Sequence, residues 1–410
     1  MKYQAILLLT FVTTFGFAQE TAFPKLKKGR WVAGLRLNEK DVLPFEMEVQ
    51  KIDDSYEFYV VNGDEMIKMQ SPELKNDSLH VRFPYFNSVL VFAADGKKDI
   101  KGYWQNFNKK NYTIPFAAKR SKKNSRFSET KKKADMLTQV GGKWEVTFGE
   151  GSDSEYPAVG IFNQEEEVVN GTFLTETGDY RYLAGNVTED SLFLSCFDGS
   201  HAFLFKAKKN GSELEGTFFS GSHWSSKWMA KRNEQFELTS PEDLTYIKGD
   251  STVAFRLSNL DGKSVIFPNA STEGKVVIIQ IMGTWCPNCL DETMYYKKLS
   301  ERYKEQGLEI ISVCYEAGDT FEEHKASIER LKNNLDLDFT FVVGGSAKKS
   351  LASRHFSMLN EVISFPTSIF IGRDGGVKRV HTGFNGPGTG DIYTDYVEET
   401  NALIEFLLAQ

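Results

Sequence analysis

Cysteine and histidine are scarce in this chain, and positive charge is not in surplus. Four cysteines in 410 residues are too few for a disulfide scaffold. One Cys-x-x-Cys occurs, with no second one and no histidine pair at ligand spacing, so a structural zinc site lacks its ligands. A formal net charge of -7 offers no basic field to gather phosphates, which excludes nucleic acid as a partner. Beyond the first residues no apolar run is long enough to cross a bilayer, and no stable membrane insertion is expected. What is present is an ordinary globular composition, 26% charged and 40% hydrophobic, in a chain long enough for about two or three domains.

The first residues address the chain. Lys2 gives a positive start, Ala5 to Phe17 is apolar, and Gly16-Phe17-Ala18 places small residues before Gln19. That pattern is a signal peptide over 1–18, cleaved after Ala18. An uncleaved anchor is the weaker alternative, because the run is short for a span. No cysteine follows the cleavage point to carry a lipid. The expected location is exported, in the periplasm or cell envelope, where disulfides persist.

From Gly29 to Arg232 the chain alternates short runs rich in Val, Phe, Tyr and Leu with turn residues, as at Asn62-Gly63-Asp64, Asp95-Gly96, Asp198-Gly199 and Asn210-Gly211. This predicts antiparallel β structure. It also repeats: Gly29-Arg30-Trp31 returns as Gly142-Lys143-Trp144, and Asp77-Ser78-Leu79 as Asp190-Ser191-Leu192, a constant offset (144 − 31 = 192 − 79 = 113). The expected units are a β-rich repeat over 24–120, a basic linker over 121–138 and a second repeat over 139–233. Each copy opens with Gly-x-Trp and closes with Arg, which resembles small lipocalin-like barrels. The resemblance implies stacking of Arg120 on Trp31 and of Arg232 on Trp144. An interior filled with side chains is expected rather than a ligand cavity. Cys196 falls on Phe83 at the repeat offset and reads as a core residue. The linker reads as solvated.

The period changes near Glu234. Lys275 to Met282 is short, β-branched and nearly uninterrupted, a strand buried on both faces. Leu290 to Gln306 carries an apolar stripe among charges and reads as a helix. Between them stands Trp285-Cys286-Pro287-Asn288-Cys289. A thiol at a strand-to-helix turn meets free backbone N–H groups and the positive helix end, and both favour the thiolate. Strands are further expected at 308–315, 339–343, 367–371 and 377–382, and helices at 321–334, 347–356 and 393–408. This alternation predicts a largely parallel sheet ending in an antiparallel hairpin. The expected fold class is therefore multidomain: two antiparallel β-barrel or sandwich repeats, then an α/β domain over 236–410.

Trp285-Cys-Pro-Asn-Cys289 after a buried strand, with Ser364-Phe365-Pro366-Thr367 before the hairpin, resembles the thioredoxin fold, and within it the TlpA/ResA-type oxidoreductases of the AhpC/TSA-Redoxin group. The resemblance implies that Cys286 is the nucleophile, that Cys289 resolves the mixed disulfide, and that Pro366 is a cis-proline beside them. Trp285, Pro287, Phe365 and Thr367 would line the substrate face. Gln280 stands where thioredoxin carries a buried Asp, and Glu316, after the next strand, is the expected substitute proton acceptor; a solvated loop carboxylate is the alternative. Cys314 reads as core.

The function expected on this basis is extracytoplasmic disulfide exchange with protein thiol and disulfide substrates, as a reductase fed by a membrane-borne thiol donor, with no cofactor and no metal. Two rivals remain. A peroxidase of the same superfamily would need a Pro-x-x-x-Thr-x-x-Cys pocket, and Ile279 to Trp285 lack its Pro and Thr. An envelope binding protein would use the β repeats to hold a ligand or partner.

Overall fold

The computed structural model describes residues 23–121, 126–127, 136–249 and 252–410. The signal peptide expected at 1–18 and most of the basic stretch at 121–138 lie outside the described residues. Residues 29–120 form a nine-stranded antiparallel sheet and residues 142–232 a second one. In both, alternate side chains point inward, as in Gly29–Arg36, where Trp31, Ala33 and Leu35 are buried. The glycines of the four expected turns take positive φ, 55° at Gly63, 78° at Gly96, 91° at Gly199 and 61° at Gly211, a region that L side chains adopt rarely.

First and last strands pair in each sheet, placing Trp31 opposite Arg120 and Trp144 opposite Arg232. Arg232 lies 4.9 Å from the Trp144 ring centroid, as expected, whereas the Arg120 guanidinium donates to the Lys28 carbonyl at 2.9 Å. The sheets differ in closure. Tyr156–Glu165 pairs with Val168–Thr175 and with Gly142–Phe148, which closes the second sheet into a barrel. The first sheet is open between its terminal strands, Glu65–Lys68 and Glu73–Lys75. Both interiors are filled by rings, including Trp31, Trp104, Phe45 and Phe58 in the first and Trp144, Trp228, Phe148 and Phe173 in the second.

The two sheets interlock. Phe197, from the second, packs against Phe45, Phe83 and Trp104 of the first, and Asn62 of the first brackets the Phe197 backbone with two hydrogen bonds, 2.9 and 3.1 Å. Arg126 corrects the expectation of a wholly solvated linker. It is buried, and its guanidinium donates to the Ser195 carbonyl at 2.8 Å.

The C-terminal sheet has seven strands, ordered Ser264–Phe267, Phe255–Asn259, Thr340–Ser346, Leu308–Glu316, Val276–Met282, Thr367–Ile371 and Val377–Thr382. Only the Thr340, Leu308 and Val276 strands run parallel; the other four pairings are antiparallel. The expectation of a largely parallel sheet is thus corrected to a mixed one. Two hairpins, one at each edge, contribute four strands, and only the central strands are joined by helical crossovers. Helices Pro287–Tyr303, Phe321–Leu335, Lys349–His355 and Asp391–Leu408 lie within a residue or three of the expected bounds. Val276–Met282 is buried throughout, and it delivers the Cys-x-x-Cys to the sheet's end. Among the described residues no helix is long and apolar enough to cross a membrane.

Candidate active site

Cys286 is the N-cap of helix Pro287–Tyr303, and Pro287 is its first residue, where the missing N–H loses no hydrogen bond. The Cys289 N–H points back at the Cys286 Sγ, 3.4 Å away, and the Cys286 thiol lies 3.4 Å from the Phe365 carbonyl. Both thiols are free. Cys286 keeps 8% of its surface exposed and Cys289 none. Burial first, then the neighbouring Cys286, pushes the Cys289 thiol well above its ordinary range. The Phe365–Pro366 peptide is cis. The structure therefore brings Cys286, Cys289, Phe365 and Pro366 together.

Trp285 donates its indole N–H to the Tyr315 carbonyl at 2.9 Å and meets Phe365 edge to face. Thr367 is placed otherwise than expected. It is fully buried, and its hydroxyl donates to the Ser364 carbonyl at 2.9 Å, so it braces the turn from behind. Pro287 is covered as well, with its carbonyl accepting from Arg181 at 3.4 Å.

Glu316 is buried, and burial raises its carboxyl to about 7. Both of its oxygens face Thr284, one accepting the backbone N–H at 2.9 Å and the other the hydroxyl at 2.6 Å. It holds the loop that leads into Cys286. A second buried carboxylate, Glu292, stands three residues after Cys289 on the redox helix and adds, after burial and Cys286, to the rise of the Cys289 thiol; the sequence reading passed over it. Glu292 is fully buried and raised by burial to about 7. It accepts from Gln280 Nε2 at 2.9 Å, Ser368 Oγ at 2.9 Å and Tyr296 Oη at 3.1 Å. Gln280 thus does not leave the site without a carboxylate; it carries one reaching in from the helix. The signal available was spacing, since Glu292 stands three residues after Cys289 and so on its helix face.

The opposite flank of the same helix meets the β half. Asn288 Nδ2 donates to the Asp179 carbonyl at 3.2 Å and the Phe384 carbonyl at 2.9 Å. Asp291 pairs with Arg181, and Arg181 also pairs with Glu65. Burial opposes the Arg181 charge, yet Asp291, Glu65, Asp198 and Asp179 hold its pKa well above the usual value. Burial raises Asp291 to about 7 against the pull of Arg181. Among the described residues no group of three His, Cys, Asp or Glu is placed to hold a metal ion.

Residues 247–396 match the Redoxin family. A thiol-disulfide oxidoreductase ResA from Halalkalibacterium halodurans is 31% identical over 33% of this chain and 68% of its own length. One from Geobacillus thermodenitrificans is 30% identical over 33% of this chain and 69% of its own. A thiol:disulfide interchange protein of the thioredoxin family from Chlorobium tepidum TLS is similar at 17% identity with a TM-score of 0.29, over 40% of this chain and 99% of that one. The Redoxin match does not extend into the β half. With a thioredoxin fold, a cysteine pair at its strand-to-helix turn and these relatives, the chain belongs to the ResA-like thiol-disulfide oxidoreductases.

Proposed function

We propose that this oxidoreductase works outside the cytoplasm, through Cys286 and Cys289, as a reductase of protein disulfides. The observation that carries the site assignment is the geometry at Pro366: the Cys286 thiol 3.4 Å from the Phe365 carbonyl, with Cys289 buried one turn behind it. The Cys286 thiolate attacks one sulfur of a substrate disulfide; that S–S bond breaks and a substrate thiolate leaves. Cys289 then gives up its proton and attacks the Cys286 sulfur, releasing the second substrate thiolate. Two electrons pass to the substrate, and Cys286 and Cys289 end as a disulfide that an external thiol donor, membrane-borne on this reading, must reduce.

Glu292 is the proton acceptor for Cys289 in this scheme, in place of Glu316. A carboxyl near 7 held by neutral donors exchanges protons at neutral pH. Export rests on the leader pattern at 1–18. We further propose that the two β sheets are copies of one unit, on the shared Trp–Arg register and the 113-position offset. Their ring-filled interiors give the ligand-carrier reading no support. The test is single-turnover reaction of the reduced purified chain with a small chromogenic disulfide; Cys286→Ser should abolish the reaction, and an unchanged rate would sink the assignment.

A further inference from the structure

We propose that the second β unit is a cap that closes over the redox site and holds it shut against bulky disulfides, with Arg181 as its latch. The proposal rests on the assignment of Cys286 as the attacking thiol. Two loops of the β half touch the redox segment at successive points. Ser200 Oγ donates to the Trp285 carbonyl at 2.7 Å. Arg181 reaches the Pro287 carbonyl, and the Asp179 carbonyl takes Asn288. Ser364 Oγ, just before the cis-proline turn, donates to the Thr177 carbonyl at 3.1 Å. The strip beside Pro366, where an extended chain would pair, is thus occupied by this chain's own hairpin. The approach is close: a Cβ on Gly178, at φ +132°, would come 2.2 Å from Asn288 Nδ2 and 2.9 Å from the Phe384 carbonyl. Beneath these contacts Cys286 keeps only 8% of its surface exposed.

The cap is braced from behind. Ser88 of the first unit donates to the Gly199 carbonyl at 2.6 Å, and Phe83 lies against Gly199. The latch joins all three parts, because Arg181 pairs with Glu65 of the first unit, Asp291 of the redox helix and, at 3.9 Å, Asp198 of its own. It is also built to release. Three carboxylates pair with one guanidinium, and Arg181 Nε and Asp198 Oδ2 are buried without a hydrogen bond, so the closed state leaves buried polar groups unsatisfied. A cleft of about 620 Å³ opens directly onto Glu65, Arg181, Asp198 and Asp291, which puts the latch within reach of an incoming chain.

The test alkylates the reduced full chain with iodoacetamide and, separately, with a long polyethylene-glycol maleimide, locating the modified cysteine by peptide mass spectrometry. The bulky-to-small rate ratio at Cys286, normalised to the unfolded chain, cancels differences in thiol ionisation. It should be depressed about tenfold or more in the native protein and recover towards the unfolded value in Arg181→Leu, as local opening becomes frequent. If that variant fails to fold, Ser200→Ala combined with Asp291→Asn is read in its place. A native ratio equal to that of the unfolded chain overturns the cap, and so does a depressed ratio that the folded variant leaves unchanged. An opened Cys286 that still fails to reduce insulin would refute the proposed reductase function while leaving the cap standing.

Discussion

The redox helix carries two adjacent carboxyls, Asp291 and Glu292, on opposite flanks, each raised by burial to about 7. Their surroundings differ in kind. Glu292 faces the sheet and is held by an amide, a hydroxyl and a phenol, all neutral. Asp291 faces the β half and is held by the Arg181 guanidinium within a set of other acids. On the proposed scheme the sheet flank passes a proton, while the β-facing flank joins two parts of the molecule through Arg181. Similar burial does not imply a similar role; the charge of the partner decides it.

Removing the fastening should have the largest effect. Arg181→Leu leaves the buried Asp291 and Asp198 and the half-buried Glu65 without that cation, and breaking a buried pair in this way costs about 3–5 kcal/mol. Urea denaturation followed by circular dichroism should show that loss. A loss under about 1 kcal/mol, the range of exposed pairs, would mean that the flank is solvated and the contrast false.

On the other flank the expected effect is kinetic. Glu292→Gln keeps the shape and removes the proton acceptor, so resolution of the mixed disulfide should slow about 100-fold, the lower range for general base catalysis. Glu316→Gln, whose carboxyl only braces Thr284, should change it less than about tenfold. Stopped-flow decay of a mixed disulfide with a chromogenic thiol separates the two, and the rate in wild type should lose its dependence on a group near pH 7 in Glu292→Gln. Equal effects of the two variants would return Glu316 to the role first expected of it.

The redox domain was legible because its signals are local. A β-branched run, a Cys-x-x-Cys and an apolar stripe lie within about thirty residues, and strands at 367–371 and 377–382 fall where the pattern puts them. The sheet's direction was less legible, since a hairpin can be read locally but the direction in which it joins the central strands is set by distant pairings. Glu292 was hidden for a different reason: in sequence it is one charge among several on a helix, and its three-residue spacing from Cys289 gains meaning once the buried Gln280 is seen opposite it. Arg181 carried no signal at all. Its partners Glu65 and Asp291 lie 116 and 110 positions away, and no periodicity spans such distances. The β half could be read as strands and turns, but its relation to the active site is a tertiary fact.

The smallest effect expected is on stability as pH changes, and its sign follows from the shifts. Asp291, Glu292 and Glu316 are each raised to about 7 in the fold, against about 4 in an unfolded chain. Between those values the folded state binds more protons, so stability must rise as pH falls through 7 and level off near 4. Each carboxyl that titrates in this way adds about 1 kcal/mol between pH 8 and pH 6. Asp291→Asn and Glu292→Gln should each remove one increment from the pH dependence of the urea midpoint. The contrast between the flanks sharpens here. An Asp291 kept ionised by Arg181 across this range would contribute nothing, so a flat response in Asp291→Asn relative to wild type assigns the cluster's proton to Asp179 or Asp198, whose carboxyls burial also raises. The hydrogen-bond partners of Glu292 are an amide, a hydroxyl and a phenol, with no second carboxyl among them to take its proton, and its increment must vanish with the carboxyl.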